Sequence, residues 1–266
     1  GSDAILAAEG RMVRALKEQG RPLAKVTERE VIADHATGRL DVMMALAAGP
    51  VAPFGDTEVD GTEQVDAEFT RYMADIERGK TYSPQEIENA RERLLALGVF
   101  NSVSVQERDA LDPDGSIPVD VTVRERKFRY FGVGATVSST DGAGIEGYWG
   151  HRNLFGRAEK LRLEAAVSGI GRSWNPAFFD YNAAILFEKP GVIGPASRFT
   201  SSVRGKYENP AAFNKFSIDG RAGVAYEITP KQEVSAEARL EWSRVTQTAT
   251  GVQTRHLLAS IPLQYV

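Results

Sequence analysis

The chain of 266 residues contains no cysteine and only three histidines. The lack of cysteine excludes disulfides, thiolate nucleophiles and cysteine-ligated metal sites. The histidines, His35, His151 and His256, share no metal-ligand spacing, so neither a metal nor another cofactor is expected. The sequence contains no G-x-S-x-G elbow, P-loop or H-E-x-x-H motif, and we therefore expect a protein that is not an enzyme.

Long apolar runs and dense basic clusters are also missing. No apolar run approaches the roughly 20 residues that a transmembrane helix requires, although alternating strands cross a membrane without such a run. Residues 1–126 carry 15 basic and 24 acidic residues, and residues 127–266 carry 17 and 12. Nucleic-acid binding normally requires clustered lysine and arginine. The chain therefore joins an acidic part to a mildly basic part, and no nucleic acid is expected among its partners.

A pattern of helix, glycine, strand, turn and strand occurs twice in the acidic part. In the second copy, Ser83-Pro84-Gln85-Glu86 is typical of a helix start, with a capping box and a proline at the first helical position. A strand near residues 54–59 and a helix near residues 65–75 precede it, so the second copy reads β-α-α-β-β. We predict the C-terminal half of such an α+β domain at residues 1–50 and a complete one at residues 51–126.

Beyond residue 126 the helical period disappears, and apolar residues alternate with polar ones in about eight runs. Each run extends to about ten residues, the length that a tilted strand needs to cross hydrocarbon. Aromatic residues lie near the ends of the runs, where the girdles of membrane barrels are found. Among the polar positions, we expect Glu164 to be balanced by Arg162 and Glu237 by Arg239. The pattern favours an antiparallel transmembrane β-barrel portion at residues 127–266 over a soluble β-sandwich.

Three segments carry a family likeness: Gly98–Val105 (GVFNSVSV), Val121–Arg126 (VTVRER) and Trp149–Glu159 (WGHRNLFGRAE). Together they resemble the BamA/TamA superfamily of outer-membrane assembly proteins, whose periplasmic repeats are called POTRA domains. Residues 4–55 also resemble a POTRA junction of the TamA branch, so the likeness favours a TamA-like protein. The third segment contains the family's turn between the second and third barrel strands, formed here by Arg152, Asn153, Leu154, Phe155 and Gly156.

The chain departs from the family pattern in two respects. The family's barrel has more strands than the eight counted here, and its inward-folded loop carries a late Arg-Gly-aromatic motif. Arg204-Gly205-Lys206 does not match that motif, because it lies in an early strand. The resemblance therefore implies a fragment, with one and a half POTRA domains followed by the N-terminal half of an outer-membrane β-barrel.

The resemblance also implies a function in protein assembly or translocation at the bacterial outer membrane, with the POTRA domains in the periplasm. In the family, the first and last barrel strands form a weakly paired seam through which substrate strands enter the bilayer. The residues of the first strand that we assign to this seam are Phe128, Tyr130, Phe131, Gly132, Val133 and Gly134. Of these, Gly132 and Gly134 are expected to reduce side-chain packing and to weaken the closure.

The resemblance implies three kinds of partner: outer-membrane lipid, unfolded β-barrel or autotransporter substrates, and a periplasm-spanning partner protein. A POTRA strand edge is expected to bind partner strands by strand addition. The residues assigned to this edge are Phe54, Gly55, Thr57 and Val59. Three alternatives remain open: a two-partner-type secretion pore, a passive surface antigen and a soluble β-rich binding protein.

Overall fold

The computed structural model describes residues 2–34, 39–139, 142–171, 175–229 and 231–266. It divides into two compact units, Gly1–Glu125 and Arg126–Val266. No helix among the described residues is long and apolar enough to span a membrane.

The first unit begins with a helix and a two-stranded antiparallel sheet, which are α1 (Ser2–Glu18), β1 (Lys25–Asp34) and β2 (Arg39–Ala47). A β-α-α-β-β domain follows, with β3 (Phe54–Asp60), α2 (Ala67–Ala74), α3 (Pro84–Ala96), β4 (Phe100–Glu107) and β5 (Ile117–Glu125). Its strand order is β3-β5-β4, in which β5 pairs parallel to β3 and antiparallel to β4. The predicted order of elements in this domain is confirmed.

The core of the β-α-α-β-β domain lies where its sheet packs against its two helices. Strand β5 contributes Val119 and Val121, which are fully buried because side chains alternate between the two faces of a strand. Helix α3 contributes Ala90 and Leu94, which lie one turn apart and are also fully buried. Phe54, from the first strand of the domain, completes this set of buried apolar residues.

Helix α3 begins at the predicted cap, but the capping is one-sided. The Ser83 hydroxyl accepts a hydrogen bond from the Gln85 N–H at 3.3 Å, and Pro84 is the first helical residue. In a full capping box, the carboxylate three residues after the cap would reach back to the cap N–H. The Glu86 carboxylate instead accepts from Lys80 Nζ at 2.9 Å. An ion pair thus replaces the reciprocal half of the predicted capping box.

The last residue of β5 holds the loop that precedes α2. Oε1 of Glu125 accepts hydrogen bonds from the backbone N–H groups of Glu63, Gln64 and Val65 at 2.8, 2.9 and 2.8 Å. Consecutive N–H groups that converge in this way form a concavity suited to an anion. One carboxylate oxygen therefore satisfies three backbone donors and ties the end of β5 to the start of α2.

Replacing Glu125 by alanine is expected to lower the free energy of local opening of residues 61–66 by about 1–3 kcal/mol, because three backbone N–H groups lose a charged acceptor. The Glu125→Gln variant should lose less of this free energy, since the amide oxygen of glutamine still accepts hydrogen bonds from the backbone N–H groups. Hydrogen exchange of the Gln64 and Val65 amides measures the change, with Glu63→Ala as a control that removes an exposed carboxylate but keeps the backbone donor. Equal protection in the Glu125→Ala and Glu63→Ala variants would contradict the prediction.

The second unit is one antiparallel sheet in which each long strand pairs with the next. Its strands are β6 (Arg129–Ser138), β7 (Gly142–His151), β8 (Lys160–Ile170), β9 (Asp180–Pro190), β10 (Ser197–Glu208), β11 (Phe213–Thr229), β12 (Gln232–Gln247), β13 (Gln253–Ser260) and β14 (Leu263–Tyr265). The eight long strands, β6–β13, agree with the predicted number. Strands β11 and β12, with 17 and 16 residues, are longer than the predicted ten.

Strands β13 and β14 lie end to end along β12 and form one interrupted border strand. The interruption falls at Pro262, which has no backbone N–H to donate. The Pro262 carbonyl still accepts a hydrogen bond from the Glu237 N–H at 3.1 Å. The strand path ends at β6 and at this border strand, so the sheet is not closed on itself within the described residues.

Candidate functional site

One face of the second sheet is apolar and exposed. Directly paired residues lie on the same face of a sheet, and the pairing produces a row that crosses all eight long strands. The row consists of Phe131, Trp149, Leu163, Ile185, Val203, Gly220, Leu240 and Ala259. The exposed fractions of Leu163, Ile185 and Leu240 are 39%, 53% and 53%. A soluble two-layer sandwich would bury this row, so the exposure contradicts the soluble β-sandwich alternative.

Aromatic residues border the apolar face at both ends of the strands. On β11, Phe216 lies near one end and Tyr226 near the other. Ten residues of strand measure about 33 Å, or about 25 Å across a membrane when the strand tilts by about 40°. This distance matches the apolar band of a membrane barrel. Cross-strand pairing continues the first border from Phe216 to Tyr207 and from Tyr207 to Tyr181.

The opposite face is polar and carries ion pairs between residues of one strand. Nε of Arg162 lies 2.6 Å from Glu164, and Arg239 forms an ion pair with Glu237. Both pairings confirm the predictions made from the sequence. Because these residues lie two apart on one strand, they share a face, and the face fits a wet lumen rather than lipid.

Strand β6, which carries the predicted seam residues, is at the edge of the sheet. Of the described strands, it pairs with β7 alone. In β6, the side chains of Phe131 and Val133 are 80% and 85% exposed and belong to the apolar face. Phe128, just before the strand, is buried, and its ring centroid lies 6.0 Å from that of His151. An edge strand leaves backbone N–H and C=O groups available to another strand. The edge of β6 is therefore the candidate functional site.

The glycines of β6 do not leave gaps on the side of β7, contrary to the expectation of reduced packing. A Cβ at Gly132 would lie 2.5 Å from the Tyr148 ring, and a Cβ at Gly150 would lie 2.3 Å from the Tyr130 ring. Each tyrosine thus covers a glycine of the neighbouring strand, and the two ring centroids are 6.0 Å apart. At Gly134, the Glu146 side chain occupies the corresponding space, 3.0 Å from a Cβ. Side chains of β7 thus fill the space beside Gly132 and Gly134, and a larger residue at either position would displace them.

The turn motif, residues Arg152–Gly156, contacts the residues at the start of β6 through Arg152. The Arg152 guanidinium lies 3.9 Å from the centre of the Tyr130 ring, a cation–π contact. The Arg152 N–H donates to the Phe128 carbonyl at 3.0 Å, and its side chain donates to the Lys127 carbonyl at 3.4 Å. The structure therefore brings together two sets of residues that the sequence placed in separate segments.

The rest of the turn is organised by a residue that the sequence reading missed. The buried Glu159 carboxylate accepts from the N–H groups of Phe155 at 3.3 Å and Arg157 at 2.9 Å. The Asn153 amide oxygen accepts from the Ala158 N–H at 3.0 Å. Phe155 itself is 75% exposed at the tip of the turn. Glu159 lies three residues beyond Gly156 and is the last residue of the segment Trp149–Glu159, so the family likeness was the sequence signal that could have found it.

The predicted edge of β3 is occupied at its first residues. The Phe54 N–H donates to the Lys80 carbonyl, and the Phe54 carbonyl accepts from the Gly79 N–H, both at 2.8 Å. The Thr57 carbonyl accepts from Arg71 Nε at 2.9 Å. Phe54 and Thr57 are buried, as is Gly55, so this end of β3 is not open to a partner strand. Of the four residues predicted to bind a partner strand, only Val59 remains a candidate. Val59 is half-buried and lies toward the other end of β3.

The other edge of the sheet that contains β3 is strand β4, which was not identified from the sequence. Strand β4 pairs with β5 alone among the described strands. Beside it, Tyr82 is 2% exposed, and burial, with Glu107 as its hydrogen-bond partner, raises the pKa of the Tyr82 phenol. Glu107 also pairs with Lys17 of α1 at 2.5 Å. These contacts tie the α1 helix to the end of β4 within the first unit.

Residues 52–126 match the POTRA family model, described as "Surface antigen variable number repeat". These residues form a POTRA domain. Its β-α-α-β-β order and the large antiparallel sheet that follows it are the fold expected from the sequence.

Comparison with whole proteins extends this result to the second unit. The chain is 24% identical over 225 residues to the outer membrane protein assembly factor BamA of Neorickettsia risticii. The aligned region covers 82% of this chain and 28% of that protein. BamA from Haemophilus ducreyi lacking POTRA domains 1–3 superposes with a TM-score of 0.74 at 11% identity, over 99% of this chain and 52% of that one. CdiB from Acinetobacter baumannii gives 0.59 at 11% identity, over 94% and 48%.

The chain thus spans 28% of the curated BamA relative and about half of the solved structures. The POTRA domain and these likenesses support a relationship to the superfamily that includes BamA and CdiB. They do not distinguish between its branches. The second unit resembles a fragment of a BamA barrel. This combination indicates the bacterial outer membrane, with the POTRA domain in the periplasm.

Proposed function

We propose that this chain is part of an outer-membrane assembly or translocation factor, in which β6 receives an extended segment of a substrate protein. The observation that carries the proposal is the position of β6 at the edge of a sheet whose apolar face is exposed. No step of the proposal requires a cofactor or enzyme chemistry, because the interacting groups are backbone N–H and C=O.

The physical benefit of such pairing lies in the cost of unpaired backbone. Each unsatisfied N–H or C=O in hydrocarbon costs several kcal/mol. A segment that pairs with β6 satisfies these groups before it enters lipid, and β6 loses its own unpaired groups at the same time. The uninterrupted ten residues of β6 offer a template about as long as one membrane-crossing strand.

The substrates that fit this mechanism are unfolded β-barrel or autotransporter proteins, whose strands have the same alternation as β6. We further propose that the intact protein is TamA-like and acts with a periplasm-spanning partner protein. Support for this branch comes from the resemblance of residues 4–55 and of the turn motif at Arg152–Gly156.

A second candidate function is a two-partner-type secretion pore. The likeness to CdiB favours it, with TM-scores of 0.59 for the Acinetobacter baumannii protein and 0.56 for the Escherichia coli protein. A secretion pore carries its substrate through the lumen, so the substrate would contact the polar face of the sheet rather than the edge of β6.

Disulfide crosslinking tests both functions, because the chain has no cysteine of its own. Single cysteines are placed at Val133 on β6, at Val203 on the apolar face of the interior strand β10, and at Thr200 on the polar face. Nascent substrates with single cysteines in a strand are then added. We expect crosslinks at position 133 and none at 203. Crosslinks confined to position 200 would favour the secretion pore, and none at 133 would contradict the proposed edge pairing.

A further inference from the structure

The turn between β9 and β10 carries two apolar residues at its tip. Ile193 is 70% exposed and Val192 is 37% exposed. Exposed apolar residues are ordinary when they are scattered singly, but adjacent ones on a fixed backbone indicate an interaction surface. We define the β9–β10 turn as residues 191–196.

Buried hydrogen bonds fix the backbone of the β9–β10 turn. The hydroxyl of Ser197, which is 3% exposed, donates to the Gly194 carbonyl at 2.8 Å and accepts from the Ile193 N–H at 2.8 Å. The Gly191 N–H donates to the Ser197 carbonyl at 2.7 Å, and the Ser197 N–H donates to the Gly194 carbonyl at 3.0 Å. Four hydrogen bonds to one residue therefore hold Ile193 in an exposed position.

The β9–β10 turn is continuous with the apolar face of the sheet. Tyr226 pairs directly with Ser197 and lies on the apolar face, two residues from Val224. A Cβ built at Gly194 would lie 3.8 Å from the Tyr226 ring, so the turn backbone lies beside the aromatic border of that face. Tyr226 itself is 43% exposed. The apolar surface thus extends through Tyr226, past the first residue of β10, to the turn.

The β9–β10 turn lies at the end of the sheet where β6 begins, because successive antiparallel strands reverse direction. This end follows the POTRA domain in the chain and therefore faces the periplasm. The apolar band between the aromatic borders is occupied by hydrocarbon, and Tyr226 lies where a ring with an apolar body and a polar tip meets the headgroups. A turn that lies beside Tyr226 is thus adjacent to phospholipid rather than to the lumen.

We propose that the β9–β10 turn is a lipid anchor, in which Ile193 and Val192 insert into the interfacial region of the periplasmic leaflet. The contact surface comprises Val192, Ile193 and Tyr226. Its ligand is the boundary between phospholipid headgroups and acyl chains. The hydrogen bonds of Ser197 pre-organise the turn, so that insertion orders little additional backbone.

Site-directed spin labelling tests the anchor in the full chain, reconstituted in vesicles of phosphatidylethanolamine and phosphatidylglycerol. Single cysteines are introduced by Ile193→Cys, Val203→Cys and Arg157→Cys. Position 203 is the lipid control on the apolar face, and position 157 is the water control, an exposed polar residue in the β7–β8 turn at the same end. Power saturation compares the collision of each label with oxygen, which concentrates in lipid, and with a water-soluble nickel chelate.

We expect the ratio of oxygen to nickel collisions at position 193 to exceed that at position 157 several-fold and to fall below that at position 203. A ratio at position 193 equal to that at 157 would show a turn in water and overturn the anchor. Low collision with both reagents would show a protein partner on the turn and would overturn it as well. A water-like ratio at position 203 would overturn the membrane-facing assignment of the sheet together with the anchor. These readings do not depend on which substrate the protein handles.

Discussion

Replacing Val203 by arginine is expected to destabilise the membrane-embedded sheet by about 2–4 kcal/mol, because a charge on the lipid face near the bilayer centre loses its hydration. Val203 lies in the middle of β10, is 54% exposed and belongs to the apolar row that crosses the sheet. Urea unfolding in phospholipid vesicles, followed by loss of protection from added protease, measures the change.

The matched control is Thr200→Arg on the same strand. Thr200 faces the polar side, where it pairs with Glu188 and lines a cavity of about 310 Å³. An arginine there has room and water, so its effect is expected to stay within about 1 kcal/mol. If both variants lost stability equally, the two faces of the sheet would not differ in environment, and the assignment of the apolar face to lipid would be wrong.

The second large effect is expected in the POTRA domain at Gly61, which connects β3 to α2. Its φ is +87°, and a Cβ there would lie only 2.0 Å from the Val123 carbonyl oxygen. Gly61→Ala therefore combines a disfavoured left-handed backbone with an overlap that only a movement of β5 relieves. We expect the domain to lose about 3 kcal/mol or more. Hydrogen exchange of the β5 amides in the intact chain measures the loss.

Gly79→Ala separates the two contributions to that loss. The φ of Gly79 is +88°, but no atom lies within 4 Å of a Cβ built there. This variant carries only the backbone cost, about 1–2 kcal/mol. The difference between the variants is the energy of the overlap at Val123. A Gly61→Ala variant as stable as Gly79→Ala would mean that the loop moves freely away from β5.

The local patterns predicted the elements well, because each is determined by neighbouring residues. Alternation predicted the eight long strands since a strand with one face toward lipid must change side-chain polarity at every residue. Ser83 and Pro84 predicted the start of α3 because they act on the first helical turn itself. The POTRA domain followed from the order of these elements, and the family model matches it at residues 52–126.

The sequence reading failed where the partner is distant along the chain. The ring of Tyr148 covers Gly132 only because the strand register places them opposite each other, and the glycine alone suggested weak packing. Glu125 and Ser197 also bind backbone groups of distant or turn residues, which no periodicity encodes. The occupied edge at Phe54 depends on the Gly79–Tyr82 segment, which reads as an ordinary connection. Register and loop packing, rather than element type, set the limits of prediction.

Because of the interruption at Pro262, the two border strands of the second sheet differ in the number of consecutive backbone groups that they offer for pairing. One border, β6, is a continuous ladder of ten residues without proline, whereas the other consists of eight and three residues separated by a residue that cannot donate. Proline on a border discourages uncontrolled sheet-to-sheet joining. Within the described residues, only β6 therefore offers an incoming strand ten consecutive backbone positions without a proline.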